Sequence, residues 1–284
     1  MPVTAGPTPR PPFDAAALDE AVATYPDLNL ELVDRASSSN EVAAERARAG
    51  APDGLVVVVD HQTAGRGRLD RTWETPAGAA VTFSLLVRPT VPAGRWPWIP
   101  LLVGHNVAKS LTALGYSARV KWPNDILLTV GAPEAGAEKK VAGILVERID
   151  TPAGRAAVIG VGINVGTTAE ELPVDTATSL ALASDVPTPE RSDVLLGAVA
   201  AIREGFDVWQ TGGEPAQERL RTSYLSHCAT VGLQVRAQLP GGGALEGRAS
   251  DVDPDGRLVI ETADGPRPVG AGDVVHVRPA DSVG

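Results

Sequence analysis

The chain has 284 residues, 43% of them hydrophobic, and a formal charge of −10. That length suits one sizeable core with a smaller module, and the acidic balance disfavours a general nucleic-acid binder, whose phosphate partners require a basic face. No apolar run reaches the roughly 20 residues of a membrane span, no basic-then-apolar leader opens the chain, and the lone Cys228 excludes an internal disulfide, so a cytoplasmic protein is expected.

Residues 1–26 read as a flexible Pro/Ala-rich segment. Pro2, Pro7, Pro9, Pro11 and Pro12 predict an extended tail, and the Ala-rich Asp14–Thr24 predicts a short helix. The segment before residue 30 is too short and too poor in basic residues for a helix-turn-helix domain. Leu28–Val33 then reads as a strand. Ser37-Ser38-Ser39-Asn40-Glu41 opens a helix over Asn40–Ala49, and Ser38 and Glu41 have capping-box spacing. A helix N-terminus with free amides and hydroxyls can also hold a polar ligand, so capping and binding are both open here.

The apolar run Leu55–Val59 predicts a buried strand, and the loop Gln62–Pro76 follows it. That loop gathers Arg66, Arg68 and Arg71 with Gly65, Gly67 and Trp73 in an otherwise acidic chain. Glycines let backbone amides approach an anion, and guanidinium groups bind it bidentately. Ala79–Val87 reads as a strand and Ile99–Leu114 as an apolar helix stopped by Gly115. The Gly104–Ser110 stretch has a faint P-loop look, but it falls mid-helix and lacks the second glycine.

Arg119–Leu128 is a strand interrupted by Lys121-Trp122-Pro123-Asn124-Asp125, where a proline marks an edge, bulge or turn. Thr129–Glu138 is a surface loop, and Lys139–Glu147 and Ala156–Val165 are strands. The glycines of Gly160-Val161-Gly162 lie within a strand, which argues against a dinucleotide fingerprint and for close approach of a ligand or backbone. Pro189–Gln210 and Glu214–Ser226 are helices. Beyond Val231, short β-rich runs (Val231–Leu239, Leu245–Asp251, Leu258–Glu261, Val274–Val277) separated by Gly- and Asp-rich turns predict a small β-barrel. The expected fold class is α+β, with a mixed-sheet domain over 27–226 and the barrel over 227–284.

The histidines lack metal-ligand spacing, and G-x-S-x-G is absent. The remaining chemistry is cationic: Arg66, Arg68, Arg71, Lys121 and Lys140, with Asp125 the one acid among them. Such a set suits phosphoryl or adenylyl transfer, and Asp125 could hold the Mg²⁺ that accompanies a nucleotide.

Four motifs in this order, Gly65-Arg66-Gly67-Arg68 with Arg71 and Trp73, Lys121–Asp125, Lys140–Glu147 and Gly160–Asn164, make the chain resemble the biotin protein ligases over about residues 28–279. The resemblance implies a catalytic domain related to class II aminoacyl-tRNA synthetases and lipoate ligases, followed by an SH3-like domain. It implies that biotin and ATP form biotinyl-5′-AMP, and that biotin then passes to a lysine of a biotin carboxyl carrier protein of acetyl-CoA carboxylase. By motif, Ser38, Ser39, Asn40, Gln62, Arg66, Gly67, Arg68, Lys140, Gly143 and Gly162 would contact biotin. Arg68, Arg71, Trp73, Lys121, Asn124 and Asn164 would contact nucleotide, with Trp73 on adenine. Lys140, Arg66 and Arg68 would be catalytic, and Asp125 would be the Mg²⁺-side acid.

The resemblance further implies a monomer or weak homodimer that binds neither DNA nor membrane. The same-fold alternative is a lipoate or octanoate ligase, and the other is a non-catalytic biotin-binding regulator. Three departures stand out: Asp70 replaces the family's usual glycine, Ser39 replaces a threonine, and Lys139 rivals Lys140.

Overall fold

The computed structural model describes residues 10–24, 28–131, 136–184, 186–239, 242–270 and 272–276. The prolines at 2, 7 and 9, the tip of the 129–138 loop, the start of the 240–243 turn and Val277 lie outside the described residues. In chain order the elements are α1 (Ala15–Thr24), β1 (Asn29–Ala36), α2 (Ser39–Arg48), β2 (Leu55–Gln62), β3 (Ala80–Val87), a 3₁₀ turn (Ala93–Trp98) and α3 (Ile99–Ala113). Then follow β4 (Ala118–Lys121), β5 (Asp125–Val130), β6 (Ala137–Thr151), β7 (Gly154–Asn164), α4 (Leu180–Ala183), α5 (Arg191–Thr211) and α6 (Gly213–Ser226). Strands β8 (Gln234–Gln238), β9 (Ala244–Val252), β10 (Leu258–Thr262), β11 (Gly265–Val269) and β12 (Asp273–His276) complete the chain.

Two compact units emerge, Met1–Arg88 with Thr129–Gly197 and Pro89–Leu128 with Ala198–Gly284. In the first, the strand order is β1-β2-β3-β7-β6. Strands β1 and β2 are parallel, joined through α2 as a βαβ unit, whereas β2-β3, β3-β7 and β7-β6 are antiparallel. Successive strand residues alternate faces, so Leu86, Ser84 and Thr82 share one face with Val158, Gly160 and Gly162. Helix α2 packs Ala43 and Ala47 against Leu55, Val57, Leu86 and Val158 on that face. Its two alanines let the helix lie close to the sheet, and its N-terminus reaches the Ser84 level. Near the start of the chain, Phe13 is buried under the Arg191 guanidinium, 4.1 Å from its ring centroid, and Arg10 pairs with Glu171 at 2.5 Å.

The second unit holds α3, α6, the β4-β5 hairpin and the C-terminal sheet of order β11-β10-β9-β8-β12, antiparallel throughout. Among the described residues this sheet is open between β11 and β12, where a barrel is expected from the sequence. Pro266 and Pro268 argue against a strand over Gly265–Val269, yet β11 forms there. It is an edge strand, the one place where a missing N–H leaves no ladder bond unmade. The interrupted segment Arg119–Leu128 is a hairpin in which Lys121 pairs with Asp125 across the turn. No helix among the described residues is long and apolar enough to cross a membrane.

Candidate active site

The site in the first unit is a stretch of sheet stripped of side chains. Gly143 of β6 and Gly162 of β7 are direct cross-strand partners, so both bare positions fall on one face. Gly160, two residues before Gly162, stands under Asn40: a Cβ there would lie 2.2 Å from the Asn40 Oδ1. Glycine in β7 therefore serves close approach, as its position within a strand suggested. The same geometry confirms that Gly160-Val161-Gly162 is no dinucleotide turn, since these residues lie inside β7.

The N-terminus of α2 borders this floor. Ser38, Ser39 and Asn40 are all buried. Ser38 occupies the N-cap with extended backbone, yet its side chain makes no capping hydrogen bond, and Glu41 bonds the Ser37 hydroxyl instead. The expected Ser38–Glu41 capping box is thus not formed. The helix end is tied to neighbouring strands: the Ser39 amide donates to the Gln62 Oε1 at 2.8 Å. The Ser84 hydroxyl lies 2.8 Å from that of Ser39 and 2.6 Å from the Asn40 Oδ1. Asn40 Nδ2 donates to Glu147 Oε2 at 2.7 Å, and that same carboxylate oxygen accepts from Arg66 at 2.8 Å. Ser84 and Glu147 thus join the predicted set. The signals for them were a serine inside the apolar run Ala80–Val87 and an acid at the end of Val141–Val146.

The Arg-Gly loop is a miniature hairpin. Arg66 and Thr72 form an antiparallel bridge, Gly67 N–H donates to Arg71 O at 2.7 Å, and Trp73 N–H donates to Gly65 O at 2.8 Å. A Cβ on Gly65 would strike the Trp73 carbonyl oxygen at 2.3 Å, which requires glycine there. At the tip, Leu69 and Asp70 have φ of 56° and 57°. Two consecutive left-handed residues make a primed turn, in which glycine, asparagine and aspartate are the favoured residues. Asp70 therefore suits the tip, where the resemblance implies a glycine, whereas the β-turn strain falls on Leu69, whose side chain is exposed.

Trp73 ends this hairpin and turns its indole onto the bare floor. The ring atoms lie 2.6–2.9 Å from where a Cβ on Gly162 would stand, and Cζ3 lies 3.1 Å from that of Gly143. Its Nε1 is buried without a hydrogen-bond partner. Lys140 Nζ sits 5.6 Å from the Trp73 ring centroid and 3.4 Å from the Gly143 Cβ position, so the lysine, both glycines and the indole meet at one place. Trp73 also lines a cleft of about 590 Å³ with Arg35, His61, Gln62 and Glu171, a volume that suits a small molecule.

Lys140 is placed by its backbone. Its N–H donates to Thr176 O at 2.8 Å and its carbonyl accepts from Thr178 N–H at 2.8 Å, while Asn164 Nδ2 donates to Thr178 O at 3.0 Å. Asn164, expected at the nucleotide, thus braces the segment that holds Lys140. Arg68 and Arg71 flank the loop tip. Lys121, Asn124 and Asp125 belong to the β4-β5 hairpin of the second unit, at and around its turn.

Among the described residues no group of three His, Cys, Asp or Glu side chains could hold a metal ion by itself. A single carboxylate such as Asp125, with the Asn124 amide next to it in sequence, fits an ion that arrives already bound to phosphate oxygens, as Mg²⁺ does with nucleotides.

Known proteins resemble this arrangement. The profile of the Biotin/lipoate A/B protein ligase family matches residues 32–164, and that of the Biotin protein ligase C terminal domain matches residues 230–277. The chain is 36% identical over 277 residues to the biotin–[acetyl-CoA-carboxylase] ligase of Mycobacterium tuberculosis, covering 95% of this chain and 97% of that protein. It is 33% identical to the bifunctional ligase/repressor of Bacillus subtilis, over 84% of this chain and 71% of that protein. The solved biotin protein ligase of Aquifex aeolicus in complex with biotin and ATP superposes with a TM-score of 0.70 at 26% identity, over 88% of this chain and 99% of that one. The sheet, the glycine floor and the ordered motifs on which these matches fall place the chain in the biotin protein ligase family.

Proposed function

We infer that this chain is an ATP-dependent biotin protein ligase. The observation that carries the inference is the bare Gly143–Gly162 floor with Lys140 at its edge and the Ser39–Asn40–Gln62 group at its border. In the first step a biotin carboxylate oxygen attacks the α-phosphorus of ATP, the bond to the β-phosphate oxygen breaks, and pyrophosphate leaves. In the second, the ε-amine of a lysine on a biotin carboxyl carrier protein attacks the anhydride carbonyl, loses a proton, and releases AMP.

Each residue has a physical task in this scheme. The ureido ring of biotin is neutral and needs matched donors and acceptors, which Ser38, Ser39, Asn40 and Gln62 offer. Lys140 binds the carboxylate and then offsets charge building at the α-phosphate. Arg66, Gly67, Arg68 and Arg71 wrap the phosphoryl side. Lys121 and Asn124 contact nucleotide, and the Mg²⁺ that Asp125 would help hold supplies further charge neutralisation there. Residues 27–226 act as the catalytic domain and 227–284 as the accessory one. The working state is a cytoplasmic monomer or weak homodimer that does not use DNA.

Trp73 adds a condition. Its indole and a biotin ring over Gly162 exclude each other, because less than one atom's thickness separates the ring from the floor. Biotin binding therefore requires Trp73 to lift, which joins the floor to the neighbouring cleft, and the loop then closes over the labile anhydride and keeps water out.

The deciding assay is pyrophosphate release from Mg·ATP. Release that depends on biotin supports the reading; release with lipoate and none with biotin overturns it. In the same assay Lys140→Ala should lose about 100-fold or more in kcat/KM, the scale of one lost charge-stabilising donor. A wild-type rate would transfer the role to Lys139.

A further inference from the structure

Within the second unit, the Lys121–Asp125 turn is gripped by residues of the C-terminal module. The chain leaving α6 runs parallel to β4: Val120 N–H donates to His227 O at 3.0 Å, and Ala229 N–H donates to Val120 O at 2.8 Å. Thr230 comes next. It is fully buried, and its Oγ1 accepts the Trp122 backbone N–H at 3.0 Å. The same oxygen lies 3.2 Å from Nε2 of His276 on β12. Burial, with Lys121 and Arg119 nearby, pulls the His276 pKa down to about 4, so the ring is neutral at pH 7. A neutral Nε2 can accept the Thr230 O–H proton, which leaves the threonine oxygen to the Trp122 amide.

A second grip acts on the Trp122 side chain. Its Nε1 donates to Gly256 O at 3.1 Å. Gly256 has φ of 79° and closes the β9–β10 turn, in which Asp253 Oδ1 accepts from the Asp255 and Arg257 amides at 3.0 and 2.9 Å. Trp98 Nε1 donates to Pro254 O of the same turn at 2.8 Å. Trp122, 2% exposed, is thus held at its amide by Thr230 and at its indole by Gly256. Both holds come from outside the four motifs that mark the family.

We propose that Thr230 is a positioning residue for ATP: its hydroxyl fixes the backbone of Trp122, and through it the place of Lys121 and Asn124. The accessory module thereby has a defined task in the adenylation step, tuning the nucleotide site through a turn it does not itself contain. The proposal rests on the reading of Lys121 and Asn124 as nucleotide contacts.

Steady-state pyrophosphate release with the full chain tests it, beside calorimetric titration of biotin without nucleotide. Thr230→Val keeps the shape and removes the hydroxyl. It should raise the KM for ATP about tenfold, the equivalent of one well-placed buried hydrogen bond, and leave the biotin Kd within about twofold. Thr230→Ser should restore the wild-type KM. Trp122→Phe, which loses only the Gly256 bond, should raise the KM for ATP by a smaller factor. Lys121→Ala separates this proposal from the reading beneath it. If Lys121→Ala raises the KM for ATP while Thr230→Val leaves it unchanged, the positioning role is overturned and the nucleotide role of the turn stands. If Lys121→Ala has no effect, the nucleotide role of the turn fails and the proposal with it. Equal weakening of ATP and biotin by Thr230→Val would reduce Thr230 to a packing residue and overturn the proposal. Should Thr230→Val not fold, an unchanged KM for ATP in Thr230→Ala overturns it instead.

Discussion

Two tryptophans lie in two of the motifs, and they are held in opposite ways. Trp122 is buried with its indole N–H bonded to Gly256 O and its amide bonded to Thr230. Trp73 has its indole N–H buried and unpartnered, over the bare Gly143–Gly162 floor. A buried donor without an acceptor costs about 1–3 kcal/mol. That cost lowers the barrier to lifting Trp73 off the floor, whereas lifting Trp122 would break two bonds and empty a packed site. On the proposed reading, the Arg-Gly loop is the part that changes on binding and the Lys121–Asp125 turn is the part that stays. A ligase that must admit biotin, seal an anhydride and then admit a lysine needs both kinds of segment.

The largest contrast is expected from truncating each ring. Trp122→Ala should cost about 3–5 kcal/mol of stability in denaturant melts, as removal of a large core aromatic does. Trp73→Ala should cost under about 1 kcal/mol because its lost packing is offset by release of an unpaired N–H. Equal losses would erase the distinction between moving and fixed segments. Biotin should change the intrinsic fluorescence, and Trp73→Phe should remove most of that change.

Next in size, Gly162→Ala places a methyl within 2.6–2.9 Å of the indole atoms. We expect biotin affinity to fall about tenfold or more, the equivalent of roughly 1.4 kcal/mol, with a smaller change in melting temperature. Wild-type affinity would show that ligand does not use this floor.

Acidification should loosen the fixed side. Burial, then the nearby His227 and Lys109, depresses His105 to about 4, and His276 is depressed to about 4 by burial and by Lys121 and Arg119. Unfolding restores both toward the ordinary 6.5, so between these values the unfolded chain binds more protons. The stabilisation is complete above about pH 6.5 and is lost as pH falls toward 4. The melting temperature should drop over that window, and His105→Asn should flatten part of the drop.

The smallest effect concerns the loop tip. Asp70→Gly puts the freest residue at a φ of 57° and should shift stability by no more than about 1 kcal/mol. Leu69→Asn, at a φ of 56°, should give the larger gain of the two because a branched apolar side chain gains least from that backbone. Loss of stability in both would remove the primed turn as the reason for tolerating Asp70.

Much of this was legible in the chain. Leu55–Val59 and Ala79–Val87 read as buried strands because continuous apolar runs leave few other structures open, and Gly115 marks a helix end because few residues adopt positive φ. The chemistry of the Arg-Gly loop followed from composition, since three arginines concentrated in an acidic chain need an anionic reason. Edges were harder: β11 carries two prolines, which local propensity rejects and an edge position permits.

Sequence by itself determined which residue types are at hand: the paired motifs, the glycines of β6 and β7, the cations, and the order in which they come. Only the tertiary structure decided that Gly143 faces Gly162, that Asn40 stands over Gly160, that Trp73 lies on the floor, and that Thr230 holds Trp122. The reason is range. Propensity and periodicity act over a few residues along the chain, whereas register between strands and the partner of a buried N–H are set by contacts between residues as far apart as 134 positions.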